Sequence, residues 1–589
     1  MSSAPRSAIL RPPPGAGDDG RWWRFIAPVE RRSATTLAEV RDLLASVEPA
    51  TEAGLWAVGF VAYEAAPAFA ASLAVRAPAT GALAAFSFFP SPELVDAPPS
   101  EDLAAKVEGL QPLQGETEHA VTIATVHAAI AAGETYQVNL TFPLQGRFAG
   151  DPEALFWRLA PVSAAPHAAF LDCGDTAIIS LSPELFFSRE SERLTMRPMK
   201  GTRLRGRFPE EDDLQSAALA ASPKERAENL MIVDMVRNDL GRLAEPGSVA
   251  VERLFALERY PTVWQMTSTV SARSAATLPA LFGALFPCAS VTGAPKARTM
   301  EWIARLERRP RGIYCGAIGW AAPRRRATFS VAIRTAVVER ATGSLEYGVG
   351  SGIVWDSEPA AEYRECLAKA GALADPGPPF ALFETMLWRP RCGITLLEKH
   401  LARLMGSADY FGFELDKDAL RYVVEGKIAG LARQATAKQR IRIELAPDGA
   451  LSFTSRPFAA DRRTWRVSLS SGPVASQDRF LFHKTTIRAI HDAALAGARA
   501  VGCDEAVLWN ERGELTEGTR TNLVLEIGGE RLTPARESGL LAGVFRQSLL
   551  ERKKVRETVL HKVDLERANR VLLINALRGW IPAAIVSAR

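Results

Sequence analysis

Cysteine is scarce in this sequence of 589 residues. None of the six cysteines belongs to a CxxC pair or to a histidine cluster at zinc spacing, so neither a disulfide framework nor a zinc site is expected. Long uncharged apolar runs are also missing: the most apolar window, residues 55–75, is interrupted by Glu64 and Pro67, and the N-terminus has no apolar signal core. We expect a buried strand and turn in that window, no membrane span, and a cytoplasmic protein with reduced, mostly buried thiols.

A large excess of charge is lacking too. The net charge is +4, and no dense block of lysine and arginine is present. This balance argues against a nucleic-acid partner but leaves room for small anionic substrates.

The length of the chain favours two or more domains. Asp375-Pro376-Gly377-Pro378-Pro379 lies between a helix-like stretch and a strand-like stretch. Two adjacent prolines and a glycine end a helix and stiffen a connection, so we place a linker at residues 373–379 and a second domain at residues 380–589.

Both halves mix strand and helix signals, which predicts an α+β fold. Strands are expected at residues 176–181, 329–338, 439–444 and 504–509. Helices are expected at residues 225–243, 297–306 and 487–498.

Two predicted helices of the first half carry carboxylates. Ser222-Pro223 is a strong helix start, after which Glu225 and Glu228 share one face, although Glu225 could instead form a capping box with Ser222. In the other helix Glu362, Glu365 and Lys369 recur on one face. That face suits a solvated ion pair, or it can hold a hard cation such as Mg²⁺ together with the first helix.

Two glycine-containing stretches could bring bare backbone to a ligand. Residues 290–296 precede a predicted helix, whose N-terminus can receive an anion, and residues 348–352 form a second glycine run. Neither fits a dinucleotide fingerprint, and a turn or bulge remains an alternative for both.

The order of motifs over about residues 120–372 resembles the chorismate-utilising enzymes, which include anthranilate synthase and aminodeoxychorismate synthase components I, isochorismate synthase and salicylate synthase. The motifs are Glu134 to Leu140, Ser182-Pro183-Glu184, Pro198 to Thr202, Ala227 to Arg242, Ser290 to Lys296, Arg311 to Gly316, Ile333 to Thr335 and Glu362 to Lys369. The resemblance implies large antiparallel sheets with flanking helices, a variable N-terminal part at residues 1–115 and a catalytic region at residues 116–372.

The same resemblance implies the roles of individual residues. Mg²⁺ and one substrate carboxylate would meet at Glu228 and Glu365, supported by Glu225 and Glu362. Glu184 would act as the general acid. The remaining substrate-binding residues would be Gly201, Thr202, Thr292, Tyr314, Arg334, Gly348, Gly350 and Lys369.

Lys200 is the most informative of these positions. Anthranilate and isochorismate synthases have alanine there, and water-delivering members have a lysine base where this chain has Gln137, whereas aminodeoxychorismate synthases resemble this chain at both places. Their lysine is thought to attack the substrate ring, which requires a free amine with a lowered pKa. The alternative is a lysine in an ion pair at a strand end. Gln265 departs from the family, because several relatives have histidine there.

The second half resembles the fold-type IV pyridoxal-phosphate enzymes, a two-subdomain fold that includes aminotransferases and aminodeoxychorismate lyase. The motifs are Phe383 to Met386, His400 to Leu404, Phe482 to Arg488, Asp504 to Asn510, Leu515 to Asn522 and Leu540 to Arg546. The resemblance implies that Lys484 bonds the cofactor and moves protons, Glu517 holds the pyridinium nitrogen, and Arg403, Gly543 and Val544 receive the phosphate. Taken singly, each has an ordinary surface or turn alternative.

The two resemblances together predict an enzyme that aminates chorismate and then eliminates pyruvate to give 4-aminobenzoate, a folate precursor. The motifs alone do not separate a lyase from an aminotransferase. The rivals are an anthranilate synthase component fused to an aminotransferase, and a synthase with an inactive C-terminal scaffold. No glutaminase motif is present, so ammonia would come from solution or from a separate glutamine amidotransferase subunit. Type IV relatives are commonly dimeric, which implies a homodimer by analogy.

Overall fold

The computed structural model describes residues 3–13, 20–77, 81–98, 105–374, 378–461 and 463–586. The chain forms two compact units, one of Met1–Leu204 with Ser216–Gly377 and one of Arg205–Gln215 with Pro378–Arg589. Part of the predicted linker 373–379 lies outside the described residues. The sequence division placed residues 205–215 in the catalytic region, whereas the structure groups them with the second unit.

The first unit contains most of the long helices and two large sheets. Its helices are α1 (Leu37–Glu52), α2 (Glu116–Ala131), α3 (Pro152–Ser163), α4 (Pro209–Ala221, which begins in the Arg205–Gln215 segment), α5 (Pro223–Gly241), α6 (Leu278–Leu285), α7 (Lys296–Leu306) and α8 (Pro359–Ala374). Its strands are β1 (Ser7–Leu10), β2 (Trp22–Phe25), β3 (Glu30–Ala34), β4 (Trp56–Val61), β5 (Ala84–Phe89), β6 (Glu93–Val95), β7 (Ala105–Pro112), β8 (Gln137–Gly150), β9 (His167–Asp172), β10 (Thr176–Ser182), β11 (Leu185–Glu190), β12 (Arg193–Arg197), β13 (Met199–Leu204), β14 (Ala250–Arg259), β15 (Val263–Arg273), β16 (Gly293–Ala294), β17 (Ala317–Ala322), β18 (Arg326–Val331), β19 (Thr335–Glu339) and β20 (Ser344–Ile353).

The two sheets of the first unit are antiparallel along their described pairings. One has the order β16-β8-β20-β19-β10-β9-β1-β2-β6, with β7 on β8, and the other has the order β13-β15-β12-β11-β18-β17-β4-β5-β3, with β14 on β15. Trp23 and Leu171 of the first sheet share a core with Phe60 and Trp320 of the second, so the sheets pack face to face. The opposite face of each sheet is covered by helices, α3 and α8 on the first and α1, α5 and α6 on the second.

Strand β4 explains the apolar window of the sequence. Every residue of β4 is buried, because one face meets the other sheet and the other face meets the helical layer. A 3₁₀ turn, Tyr63–Ala68, follows it. The predicted buried strand and turn are confirmed, and none of the helices in the described residues is long and apolar enough to span a membrane. The six cysteines carry free thiols, and all except Cys392 are buried.

One predicted strand is divided in two. Residues 329–338 were expected to form a single strand, but β18 ends at Val331 and β19 begins at Thr335. Arg334 between them has a left-handed backbone, with φ of +51°. The chain therefore crosses from one sheet to the other at this point, since β18 and β19 belong to different sheets.

The second unit has two sheets of its own. Its helices are α9 (Leu397–Phe411), α10 (Lys417–Gln434), α11 (Ala489–Ala500), α12 (Val544–Glu551) and α13 (Asp564–Arg567). Its strands are β21 (Leu382–Arg389), β22 (Gly393–Ile394), β23 (Gln439–Leu445), β24 (Leu451–Pro457), β25 (Trp465–Leu469), β26 (Glu505–Trp509), β27 (Leu515–Gly518), β28 (Asn522–Ile527), β29 (Glu530–Pro534), β30 (Arg556–Thr558), β31 (Arg570–Asn575) and β32 (Gly579–Ile585). The sheet orders are β22-β21-β23-β24 and β27-β26-β25-β32-β31-β28-β29-β30, so the predicted α+β class and two subdomains are confirmed.

Replacing Phe282 by alanine should destabilise the first unit. Phe282 of α6 is fully buried, and its ring contacts Phe187 at 5.6 Å and Phe329 at 5.1 Å between centroids. We expect Phe282→Ala to lower the free energy of unfolding by about 3–5 kcal/mol, measured by urea denaturation. Val121→Ala, at a position 65% exposed on α2, serves as the control and should change it by less than about 0.5 kcal/mol. Equal effects of the two substitutions would contradict this packing.

Candidate active sites

The Lys200 side chain extends from β13 and lines a cavity of the first unit. The register of β13 against β15 shifts between Met199 and Thr202, and Gly201 between them has φ of +96°. Such a bulge redirects the side chains beside it. The Asn229 side chain donates to the Lys200 carbonyl oxygen at 3.1 Å, which fixes the backbone from the α5 side.

The amine of Lys200 lies directly over Gly352. A Cβ atom at residue 352 would stand 2.3 Å from Lys200 Nζ and 2.6 Å from Gln137 Nε2, so only glycine leaves room for both groups. Gln137 is fully buried, and neither its Nε2 nor its Oε1 has a partner among the described residues. The amine and this unsatisfied amide therefore face the same small space.

Burial lowers the pKa of Lys200, and the nearby positive charge of Lys369 acts in the same direction. The carboxylates of Glu228, Glu184 and Glu365 oppose this shift without reversing it. The uncharged amine, which is the nucleophilic form, thus becomes more accessible than in an ordinary lysine.

Glu184 provides a buried acid in the same cavity. It is 3% exposed, and burial raises its pKa to about 7, against the opposing effects of Ser290, Lys200 and the Met199 amide. Its Oε1 has no partner within the described residues. A carboxyl group of this kind holds a proton near neutral pH and can donate it.

Helices α5 and α8 bring four carboxylates to the cavity wall, namely those of Glu225, Glu228, Glu362 and Glu365. The predicted helix start is confirmed, since Ser222 caps α5 and Pro223 is its first residue. Ser222 Oγ accepts from the Glu225 amide, but the Glu225 carboxylate lines the cavity, so its side chain is used there. On α8, Lys369 and Glu365 form an ion pair at 2.8 Å, which is one of the two possibilities that the sequence left open. Both residues also line the cavity.

The carboxylates fit a divalent cation by their electrostatics. Burial raises the pKa of Glu225 and of Glu228, and neighbouring carboxylates raise both further, while the positive charges of Lys200 and Lys224 oppose the shift. Within the described part of the chain, no three acidic, histidine or cysteine side chains converge tightly enough to hold a metal by themselves. Mg²⁺ completes its shell with water and substrate oxygens, so two carboxylates from facing helices remain suitable.

Another group of lining residues suits an anion. Tyr314, Arg334, Gly348 and Gly350 all line it, and a Cβ atom at residue 348 would stand 2.3 Å from the Tyr314 ring. Lys369 Nζ donates to the Gly350 carbonyl oxygen at 2.9 Å. A guanidinium group, a phenol and side-chain-free backbone therefore line the same cavity, and such groups can receive a carboxylate.

Gln265 replaces a titratable group by a neutral amide. Its Nε2 donates to the Gly201 carbonyl at 2.9 Å, and its Oε1 accepts from the Thr202 hydroxyl at 2.9 Å. The amide thus fixes the two residues that follow Lys200 without adding a charge to the cavity.

One predicted residue is not brought to the cavity wall. The Thr292 hydroxyl donates to the carbonyls of Cys288 and Ala289, which closes its own turn. Several lining residues were not predicted from the sequence, including Asn139, Lys224, Ser290 and Tyr347. Asn139 and Ser290 lie within the motifs described above, and Lys224 directly precedes Glu225. Their position next to predicted site residues was the signal in the sequence that could have identified them.

Residues 290–296, where the sequence predicted an anion site, include a short strand paired with β8. Gly293 and Ala294 form β16 and pair with Val138 and Gln137 of β8. A Cβ atom at residue 293 would stand 2.0 Å from the Gln137 carbonyl oxygen, so the glycine permits close strand pairing. This contact supports the backbone of the buried Gln137.

Lys484 is the central residue of the second unit's site. Its Nζ lies 4.8 Å from the Phe383 ring centre, and the Phe383 amide donates to the Lys484 carbonyl at 2.9 Å. Burial lowers the pKa of Lys484 to about 7, and the positive charges of Arg403 and Arg488 contribute to that decrease. This amine is also available in its uncharged form near neutral pH.

Arg403 stands next to the N-terminus of α12. Its Nε and Nη2 donate to the buried Glu384 carboxylate at 2.7 and 2.8 Å, and its Nη1 donates to the Ala542 carbonyl at 3.3 Å. Gly543 caps α12 and Val544 begins it. A helix N-terminus beside an arginine whose direction is fixed suits a phosphate group.

Glu517 lies on β27 and is buried. Its Oε1 is 3.3 Å from His491 Nε2, and its Oε2 accepts from Asn522 Nδ2 at 3.4 Å. Lys484, Arg403 and Glu517 are close enough for both partners to influence the Lys484 pKa. The group fits pyridoxal phosphate, with an amine, a phosphate anchor and an acid for the ring nitrogen.

Known proteins match both units. Residues 18–375 match the family model described as chorismate binding enzyme, and residues 381–586 match amino-transferase class IV. Over 247 residues the chain is 48% identical to aminodeoxychorismate synthase of Streptomyces griseus, covering 41% of this chain and 34% of that protein. Over 250 residues it is 45% identical to aminodeoxychorismate synthase component 1 of Klebsiella aerogenes, covering 42% and 55%.

The chain thus spans about half, or less, of the length of these curated relatives. The fold also resembles the crystal structure of anthranilate synthase component I from Streptococcus pneumoniae TIGR4, with a TM-score of 0.51, 24% identity and coverage of 63% of this chain and 92% of that one. Because the first family model covers more than half of the sequence, this chain belongs to the chorismate binding enzyme family and carries a class IV amino-transferase domain in its second half.

Proposed function

We propose that this protein converts chorismate and ammonia to 4-amino-4-deoxychorismate in its first unit, and that its second unit eliminates pyruvate from that compound to give 4-aminobenzoate. The observation that carries the proposal is the amine of Lys200 over Gly352, with a lowered pKa and with the acid Glu184 in the same cavity. The match to aminodeoxychorismate synthases supports it.

In the first step the Lys200 nitrogen bonds to ring C2 while the C4 hydroxyl leaves as water, with its proton supplied by Glu184. Ammonia then bonds to C4 and the C2–Lys200 bond breaks, so its electrons return to the lysine nitrogen. Gln137 is amide-bearing and cannot act as the base that a water nucleophile needs, which favours ammonia. Glu228 and Glu365, supported by Glu225 and Glu362, would hold Mg²⁺ against one substrate carboxylate, while Tyr314 and Arg334 receive the other.

In the second step Lys484 removes the proton from the amine-bearing carbon, and the ring becomes aromatic as pyruvate departs. Pyridoxal phosphate, when bound, accepts the electrons released at that carbon. Arg403, Gly543 and Val544 would hold its phosphate, and Glu517 would keep a proton on its ring nitrogen. An elimination in this unit consumes the product of the first, which favours a lyase over an aminotransferase.

The proposal extends to the compartment of the enzyme, its source of ammonia and its oligomeric state. Free thiols on all six cysteines support a reducing compartment, the cytoplasm. Ammonia would come from a separate glutamine amidotransferase, and the second unit would form a homodimer by analogy with its family.

Replacing Lys200 by methionine should abolish amination. We expect Lys200→Met to reduce chorismate consumption by about 100-fold or more, equivalent to about 2.7 kcal/mol of transition-state stabilisation. The assay is chromatography of products from chorismate, ammonia and Mg²⁺, with mass spectrometry of acid-quenched wild type for the Lys200 adduct. Lys106→Met, at an exposed lysine of β7 in the same unit, is the control and should leave chorismate consumption unchanged. Amination that survives Lys200→Met without any adduct would sink the mechanism, and anthranilate as the product would favour the rival synthase.

Replacing Glu184 by glutamine should remove one limb of the pH profile. Glu184 is protonated below its pKa of about 7, so kcat/KM for chorismate should fall as pH rises above that value. We expect Glu184→Gln to lower kcat/KM by about 10²–10⁴-fold and to eliminate this descending limb. A descending limb that persists in Glu184→Gln would assign it to another group.

Replacing Lys484 by alanine should separate the two steps. We expect Lys484→Ala to consume chorismate at the wild-type rate but to accumulate 4-amino-4-deoxychorismate, with pyruvate release reduced by about 100-fold or more. The near-visible absorbance of the bound cofactor should disappear as well. Lys438→Ala, at an exposed lysine of the same unit, is the control. Unchanged 4-aminobenzoate formation in Lys484→Ala would instead support a scaffold role for the second unit.

A further inference from the structure

The second unit includes a segment from the first half of the sequence. The chain leaves the first unit after Leu204, contributes Arg205–Gln215 to the second unit and returns at Ser216. This segment follows β13, the strand that carries Lys200, and its role is not explained by the chemistry of either site described above.

Residues 205–208 form a turn that leads into α4, and a buried ion pair closes it. Arg205 and Asp212 form a salt bridge of 2.7 Å, and both side chains are almost fully buried. Asp212 Oδ1 also accepts from the Gly206 amide at 2.9 Å. A Cβ atom at residue 206 would stand 2.1 Å from the Asp212 nitrogen, so glycine permits the close approach.

Helix α9 holds one end of this turn. The Arg205 guanidinium lies 4.4 Å from the Tyr410 ring centre and donates to the Tyr410 carbonyl at 3.0 Å. The Tyr410 hydroxyl donates to the Gly206 carbonyl at 2.6 Å. These three contacts fix the turn to the helix that also carries Arg403.

His483, the residue before Lys484, is fixed by the same turn. Its Nε2 lies 3.2 Å from the Arg207 carbonyl oxygen and its Nδ1 lies 2.9 Å from Ser407 Oγ. A carbonyl oxygen can only accept, so Nε2 carries the hydrogen and Nδ1 accepts from the hydroxyl. The ring also stacks on Tyr410, with 4.4 Å between centroids, so three contacts hold the imidazole.

Phe208 covers the residue before His483. Its ring lies 5.2 Å from the Phe482 ring, within a small hydrophobic cluster that includes Val474, Leu481 and Leu508. The Arg536 guanidinium lies 3.8 Å from the Phe208 ring centre on the other side. Phe208 is only 7% exposed, so its removal would open this cluster.

Two separate sets of contacts therefore hold the backbone at Lys484 and just before it. The Phe383 amide holds its carbonyl oxygen from β21, and the turn holds the two preceding residues through Arg207 and Phe208. We propose that Arg205–Gln215 is a positioning segment for the Lys484 site, which acts by fixing Phe482 and His483 and so directs the lysine amine toward its reaction partner. This inference rests on the function proposed for the second unit.

Phe208→Ala in the full-length chain tests the segment directly. Without cofactor, amide hydrogen exchange in residues 479–486 should accelerate by about tenfold or more, because the cluster that restrains them is opened. In the holoenzyme, the pH at which the near-visible absorbance of the bound cofactor changes should shift, and kcat for pyruvate release from supplied 4-amino-4-deoxychorismate should fall by about tenfold. Phe208→Leu, which refills the cluster, should restore all three measurements to within about twofold of wild type.

Two further variants keep the test decisive. Arg207→Met removes the guanidinium donors to the Ser476 and Glu537 carbonyls but retains the backbone carbonyl that meets His483. We therefore expect smaller changes than in Phe208→Ala, in the same direction, in all three measurements. This variant carries the test if Phe208→Ala does not fold. Leu565→Ala truncates a residue that is similarly buried in another cluster of the unit and should leave the absorbance titration unchanged.

The outcomes separate this inference from the proposed function. Unchanged hydrogen exchange and an unchanged absorbance titration in both Phe208→Ala and Arg207→Met would overturn the positioning role. A shift of the titration in Leu565→Ala equal to that in Phe208→Ala would also overturn it, because any loss of packing would then suffice. Wild-type protein that releases no pyruvate from 4-amino-4-deoxychorismate would refute the lyase function instead, whatever the exchange data show.

Discussion

Desolvation of the Lys200 amine is the constraint on which the first unit's site depends. The amine fits only because residue 352 has no side chain, and the Gln137 amide uses the same space. An ammonium group placed there loses water, and its carboxylate neighbours compensate only in part, so its pKa remains lowered. The bulge at Gly201, the Asn229 contact and the Gln265 amide all serve to hold this lysine where water is scarce.

The carboxylates beside Lys200 connect its charge state to cation binding. Glu228 and Glu365 act to raise the pKa of Lys200, and the positive charge of Lys200 in turn acts to lower the pKa of both carboxyl groups. Neutralising these carboxylates with a divalent cation would remove much of their attraction for a protonated amine. Cation binding would therefore favour the nucleophilic form of Lys200, which gives the α5 and α8 carboxylates an effect on reactivity in addition to substrate binding.

Local signals in the sequence predicted the parts of the site that depend on helix periodicity. Ser222-Pro223 fixed the start of α5, and the spacing of Glu362, Glu365 and Lys369 placed them together on α8. The division of one predicted strand at Arg334 could not be predicted, because nothing in an arginine signals a left-handed backbone. The transfer of Arg205–Gln215 to the second unit depends on contacts with residues about two hundred positions away, such as Tyr410, and local patterns carry no such information.

The two lysines reach a similar state through different surroundings. Burial is the main cause of the lowered pKa in both, but Lys200 is surrounded mostly by carboxylates that oppose the shift, whereas Arg403 and Arg488 reinforce it at Lys484. The difference suits the chemistry proposed for them. In the proposed first step Lys200 bonds to a dianionic substrate and then leaves, so nearby acids would stabilise it as it regains positive character. In the proposed second step Lys484 takes a proton beside a phosphate, whose negative charge would offset the arginines that keep the free amine uncharged.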